Sequence, residues 1–294
     1  MYYLAQNTEE QISIIKDNIK RLEELRDITQ AFHDNDMALS VDVKRVNVNL
    51  ENLSVQYDNA KAMLTQQYNM LKYVIDYPAD QAIAVEKADI DKTDMAALTG
   101  LNENLYELQL LRTQQSLAEK QKKLAKDGYM PTLALTGNWT YAAFTDEFKN
   151  WFHSGESNHW YKSNGIGISL RIPVFDGEKR SKIRKAQVDI DNAKLKYEDA
   201  LKGMQTQYAN AVNDLANNQR NFSKQRDNYL LAEDVYKVTS DRYREGIASM
   251  TEVLQDEMSM SDAQNNYLTA HFNYQVSNLT LLKLTGELEK LFSN

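Results

Sequence analysis

Apolar residues recur every three or four positions over residues 9–33: Ile12, Ile15, Ile19, Leu22, Leu25 and Ile28. That period predicts an amphipathic helix. A polar break follows at Asp34-Asn35-Asp36. A second helical stretch over 38–76 ends at Asp76-Tyr77-Pro78. Residues 79–100 read as a mixed polar connector holding a short helix or strand. A third helix is predicted over 101–127, where Gly128 and Pro131 stand in the order expected of terminators.

The period then drops to two. In LALTGNWTYAAFT, Leu133, Leu135, Trp139 and Tyr141 share one face. In GIGISLRIPVF, Ile166, Ile168, Leu170 and Ile172 do the same, opposite Gly165, Gly167, Ser169 and Arg171. Both segments read as strands with one apolar side, over 132–145 and 165–175. The polar, aromatic stretch between them is too long for a tight hairpin turn. At Pro173-Val174-Phe175-Asp176-Gly177 the pattern turns helical again. Pro173 can end a strand. Asp176 is placed to cap the new helix, and Gly177 is expected to permit a sharp change of direction.

A long helix follows over 178–244. Its seam runs Ala186, Ile190, Ala193, Tyr197, Ala200, Met204, Gln207 and Ala211 at alternating spacings of four and three. A heptad seam so rich in alanine suits close packing among many helices rather than an isolated coil. Gly246 ends this helix. A return helix over 249–285 stops at Gly286.

Shifted by 210, the sequence aligns with itself. Thr29 falls on Thr239, Val43 on Val253, Tyr57 on Tyr267 and Leu71 on Leu281. The breaks coincide too, Asp36 with Gly246 and Asp76 with Gly286. This predicts a duplication: residues 1–78 are the helical pair of an incomplete first repeat, 79–100 the connector, and 101–294 the second repeat. The counterpart of 101–210 is missing from the first copy. The expectation is therefore an N-terminally truncated form of a longer protein.

Composition narrows the classes. The 294 residues hold only 10 glycines and 3 prolines, which favours long helices. Net charge is −8 with no long basic run, which argues against nucleic acid as a partner. Cysteine is absent, excluding disulfides and thiolate metal sites. No apolar run approaches the ~20 residues of a membrane-spanning helix, and the first residues do not read as a signal peptide. The fold class is mainly α, with long antiparallel coiled-coil helices, one strand pair and an internal repeat. Each strand has about the ten residues that cross a bilayer within a β-barrel. Trp139, Trp151 and Trp160, with Tyr141, Phe144, Phe148, Phe152 and Tyr161, fit an interfacial girdle there; the plain alternative is a soluble hairpin packed on helices.

Three segments carry a family resemblance: GYMPTLALTGNW, GISLRIPVFDGEKRSKIRKAQ, and RYREGIASMTEVLQDEMSMSDAQNNYLTAHFNYQVSNLTLLKLTG. The chain resembles the second half of TolC-like outer-membrane efflux proteins. The resemblance implies a homotrimer whose strands join one shared outer-membrane β-barrel and whose helices build a periplasmic tunnel, or α-barrel. It implies a passive export duct that contacts outer-membrane lipid and docks a periplasmic adaptor (membrane fusion) protein and an inner-membrane transporter. The segment Pro173, Phe175, Asp176 and Gly177 would be the re-entry from barrel to tunnel. Asp36, Met37, Gly246, Ile247, Ala248 and Ser249 would form the adaptor-contact tip. At the tunnel entrance the family carries two acids three apart. Glu252 matches the first, while Gln255 replaces the second, with Asp256 beside it. Three copies of one acid would still form a cation-attracting ring. The plain alternative for Glu252 is an acid complementing a helix dipole.

No phosphate loop, zinc-protease motif or nucleophile elbow is present. His33, His153, His159 and His271 are scattered, and His153 and His159 read as solvated loop residues. Neither an enzyme, a cofactor nor a metal site is expected. The alternative function is a soluble structural coiled-coil protein such as a periplasmic adaptor. If the duct reading is right, three copies supply six strands. That is fewer than the eight of the smallest common barrels, so this chain alone is not expected to close one.

Overall fold

The computed structural model describes residues 1–86, 100–144 and 159–289. In chain order the elements are α1 (Tyr2–Asp34), α2 (Ser40–Val74), α3 (Tyr106–Asp127), β1 (Thr132–Phe144), β2 (His159–Arg171), α4 (Gly177–Arg244) and α5 (Met250–Thr285). Two compact units result, Met1–Glu103 with Gly203–Asn294, and Asn104–Lys202. The second unit begins at Asn104, close to the repeat boundary expected at residue 101, and ends at Lys202, inside the expected second repeat. Helix α4, with 68 residues, is long enough to serve both.

In the first unit α1 presents Ile15, Asn18, Leu22, Leu25 and Thr29, at spacings of three and four, as its buried face. Leu22 and Leu25 pack with Val46 and Leu53 of α2, Tyr236 and Tyr243 of α4, and Met250, Val253, Leu254 and Met260 of α5. Burying side chains of this size stabilises by roughly 1.5–3 kcal/mol each. A second cluster, Ala211, Leu215, Tyr274, Leu281, Leu282 and Leu284, joins α4 to α5. Buried Thr29 donates its hydroxyl to the Leu25 carbonyl at 2.7 Å, which keeps a polar group satisfied inside the seam.

In the second unit α3 and the first part of α4 are joined by polar contacts. Arg112 donates to the Tyr197 hydroxyl at 2.8 and 3.1 Å, and Lys122 to Gln187. Strands β1 and β2 form an antiparallel pair in unbroken register from Thr132↔Arg171 to Phe144↔His159.

Several boundaries differ from the sequence reading. Strand β2 starts at His159 and stops at Arg171, rather than spanning 165–175. Its first residues, His159-Trp160-Tyr161-Lys162, lack aliphatic alternation, yet Trp160 stacks on Tyr141 at 4.8 Å and Tyr161 on Phe144 at 5.3 Å. His159 is thus in a strand and not in a loop. Helix α3 starts at Tyr106, not 101, because Asn102 is drawn to the Leu284 carbonyl at 3.0 Å. In the α4 seam Gln207 is exposed and Tyr208 is half-buried in its place. Gly177 is the first helical residue of α4, with open space around it and no left-handed φ, so it makes no special turn. Residues 79–86 form turns and irregular chain, with neither helix nor strand. The remainder of the connector, Phe148, Trp151, Phe152 and His153 lie outside the described residues.

Candidate functional site

The hairpin register puts Leu133, Leu135, Trp139, Tyr141, Ile166, Ile168 and Leu170 on one side, while Ile172 lies just beyond the end of β2. Leu133 lies opposite Leu170, Leu135 opposite Ile168, and Gly137 opposite Ile166. Thr132, Thr136, Asn138 and Thr140 face the other way, opposite Arg171, Gly167, Gly165 and Ser163. On the apolar side Leu135 is 74% exposed, Trp139 74%, Ile166 86% and Ile168 73%. Toward the far end the face changes character. Tyr141 pairs with Lys162, whose ammonium lies 5.8 Å from the ring centre. From Leu133 to Tyr141 the band is on the order of 27 Å along the strand, close to the ~25 Å apolar belt of a membrane barrel. Among the described residues no helix is long and apolar enough to cross a membrane. That says nothing of strands.

The return to helix is held by a small polar knot. The Asp176 carboxylate accepts from the Lys179 amide at 3.0 Å and so caps α4. The Tyr129 hydroxyl donates to the Asp176 carbonyl at 2.8 Å, and Lys179 Nζ to the Gly128 carbonyl at 2.7 Å. The end of α3 and the start of α4 are thereby tied together. Phe175 contributes nothing to this knot and is 88% exposed.

In the first unit, α1 and α4 end in the same cap. The amide of Met37 donates to Phe32 at 2.7 Å and that of Asp36 to His33 at 3.0 Å. The amide of Ile247 donates to Arg242 at 2.8 Å and that of Gly246 to Tyr243 at 2.9 Å. The residue after the left-handed position commonly packs back on its helix in this motif. Here Met37 and Ile247 are 68% and 63% exposed. The two turns are neighbours: Phe32 packs on Tyr243 with ring centres 5.6 Å apart, and the Tyr243 hydroxyl donates to Thr29 at 3.3 Å.

More than half of the sequence carries the signature of one family. A model described as "Outer membrane efflux protein" matches residues 86–287. The chain belongs to this family. Outer membrane protein TolC of Vibrio cholerae is 25% identical over 249 residues, covering 81% of this chain and 52% of TolC. The probable efflux pump outer membrane protein TtgC of Pseudomonas putida is 22% identical over 296 aligned positions, covering 97% of this chain and 58% of TtgC. The chain spans about half the length of the curated relatives it matches. The solved structure of outer membrane protein VceC of Vibrio cholerae has the same fold, with a TM-score of 0.74 at 16% identity over 97% of this chain and 67% of VceC.

In this efflux-family chain Glu252 is engaged locally. Its carboxylate accepts from the Ser249 amide at 2.7 Å and the Ser249 hydroxyl at 2.9 Å, while the Ser249 oxygen accepts from the Glu252 amide. This capping box begins α5. The Ser249 amide, then its hydroxyl, hold the Glu252 carboxyl below the usual range. Gln255 is exposed and Asp256 half-buried.

A buried polar layer escaped the sequence reading. Asn18 of α1 donates to Gln264 of α5 at 3.0 Å, both buried. Arg21 donates to Asn18. Glu257 is only 5% exposed, and burial pushes its carboxyl up, with Arg21 opposing and Asp262 adding to the shift. Glu257, Gln264, His271, Asn278 and Thr285 stand seven apart along α5. That polar heptad row was the available signal.

Proposed function

We propose that this chain is part of an outer-membrane export duct of a tripartite efflux or secretion system. Its hairpin would contribute to a membrane barrel. Its helices would form part of a periplasmic tunnel, with the turns at Asp36-Met37 and Gly246–Ser249 meeting a periplasmic adaptor that links to an inner-membrane transporter. Glu252 would stand at the tunnel entrance in three copies, with Gln255 and Asp256 setting its remaining polarity. The role is passive conduction. No catalytic step is assigned.

One observation carries this reading: a hairpin of two 13-residue strands whose registered apolar side is exposed while its opposite side is largely polar. Such a side needs either lipid or protein cover. The names of the relatives, TolC and the efflux pump protein TtgC, point to lipid. The test is the molar mass of the chain by light scattering with and without detergent. A detergent-dependent trimer is expected. A monomer or dimer that stays soluble in plain buffer and binds no detergent would favour a soluble coiled-coil protein instead.

A further inference from the structure

Among the buried polar atoms of the first unit without a hydrogen-bond partner are Oε1 of Glu257 and Nε of Arg21. They belong to opposite charges on neighbouring helices, α5 and α1. Arg21 lines a cavity of about 280 Å³ with Leu25, Tyr236, Ser240 and Met260. Glu257 lines a separate cavity of about 200 Å³ between α2 and α5 with Asn49, Asn52, Leu53, Gln56 and Asp262. A neutral carboxyl tolerates such a place. A carboxylate needs donors or water, since an unpaired buried charge is expensive. Both cavities give the helices room to adjust.

We propose that Glu257 is a proton-operated contact that seats α5 against α1 and α2 when neutral and loosens that seating when ionised, as its carboxylate seeks Arg21 or water. The groups facing it are Arg21 from α1, the neutral Asn49, Asn52 and Gln56 from α2, the Tyr236 phenol from α4, and Asp262 from α5 itself. The sign follows from linkage. Burial raises the carboxyl's affinity for its proton, so the folded chain holds that proton where the unfolded chain has released it. The seating is complete below the ordinary glutamate value and weakens as pH rises through the raised one. This contact does not depend on the export reading.

The chain has no cysteine, so a labelled pair is unambiguous. Lys20→Cys on α1 and Asn266→Cys on α5 are both exposed sites for spin labels. The distance distribution should be narrow in acid and broaden or lengthen as pH rises from about 4 to about 8, the span bracketing a raised glutamate. Glu257→Gln should remove that response while leaving the narrow form. Arg21→Gln should move the transition to higher pH, because its charge opposes the raised proton affinity. A distribution that ignores pH, or an equal response in Glu257→Gln, overturns the proposal. An unmoved transition in Arg21→Gln overturns the part given to Arg21, and that variant still tests the idea if Glu257→Gln fails to fold.

Discussion

Asp36 and Gly246, 210 residues apart, hold the same left-handed backbone, with φ of 58° and 73°. The next pair at that offset does so as well, Asp76 at 54° and Gly286 at 75°. Each is followed by an amide that bonds five residues back, Tyr77 to Lys72 at 2.8 Å and Glu287 to Leu282 at 2.9 Å. Four caps thus repeat with the period of the sequence self-alignment, which supports a duplicated helical pair. A glycine reaches this conformation without strain, whereas an aspartate does not. Asp36→Gly should therefore stabilise by up to about 1 kcal/mol, and Gly246→Asp should destabilise by about the same. Denaturant midpoints of the two variants, read against the parent chain, check both signs.

The capping box predicts a second effect. Ser249→Ala should cost about 1 kcal/mol of stability. It should also let the Glu252 carboxyl drift back toward its ordinary range, since the Ser249 hydroxyl helps hold it down. A carboxyl with a lowered value stabilises above its unfolded pKa and loses that contribution as pH falls through the folded one. Acid should therefore erode the start of α5 less in the variant than in the parent. Amide exchange at residues 250–253 as a function of pH reads this directly.

A third prediction separates the two sides of the hairpin. Leu135 and Ile168 pair across the apolar side, whereas Thr136 and Gly167 pair across the polar one. If lipid covers the apolar side, Leu135→Arg or Ile168→Arg should lose about 2–4 kcal/mol of insertion energy near the bilayer centre. Thr136→Arg should be tolerated. Flotation with liposomes distinguishes them, and equal behaviour of the three variants would refute a lipid-facing assignment.

Tyr68 offers a spectroscopic check on the α1–α2 packing. Its phenol is pushed up to about 12, first by burial and then by the hydrogen bond it donates to Glu9. Tyr68 should ionise near that value, and Tyr68→Phe should remove its contribution from the ultraviolet titration. A variant whose high-pH limb is unchanged would show that α1 and α2 are not held together there.

The strand faces were legible because an exposed period-two pattern leaves few alternatives: Leu133, Leu135, Ile166 and Ile168 share a side only in registers of one parity, since a slip of a single residue would turn one strand over. The helix stops at Asp36 and Gly246 were legible from local chemistry. The start of β2 was not, because Lys162-Ser163-Asn164 are polar on both faces and only the stacking of Trp160 and Tyr161 on β1 reveals the pairing. The helical core was half legible. Ile12, Ile19 and Ile28, expected in the α1 seam, are only half-buried, while the polar Asn18 and Thr29 are inside. A hydropathy pattern cannot find a core whose amides and hydroxyls are satisfied by one another or by the preceding turn. For the same reason the sequence reading singled out Glu252, Gln255 and Asp256 and passed over Glu257, the very next residue.

The bond from Asn18 to Gln264 limits how the two helices can move. Tilting α1 against α5, or letting their ends splay, can leave both amides near their partners. Sliding one helix along the other by a single turn, about 5.4 Å, cannot. It would strand two buried amides at roughly 1–3 kcal/mol each. The pair works like a pin through two rods, permitting rotation about one point and forbidding travel along the axis.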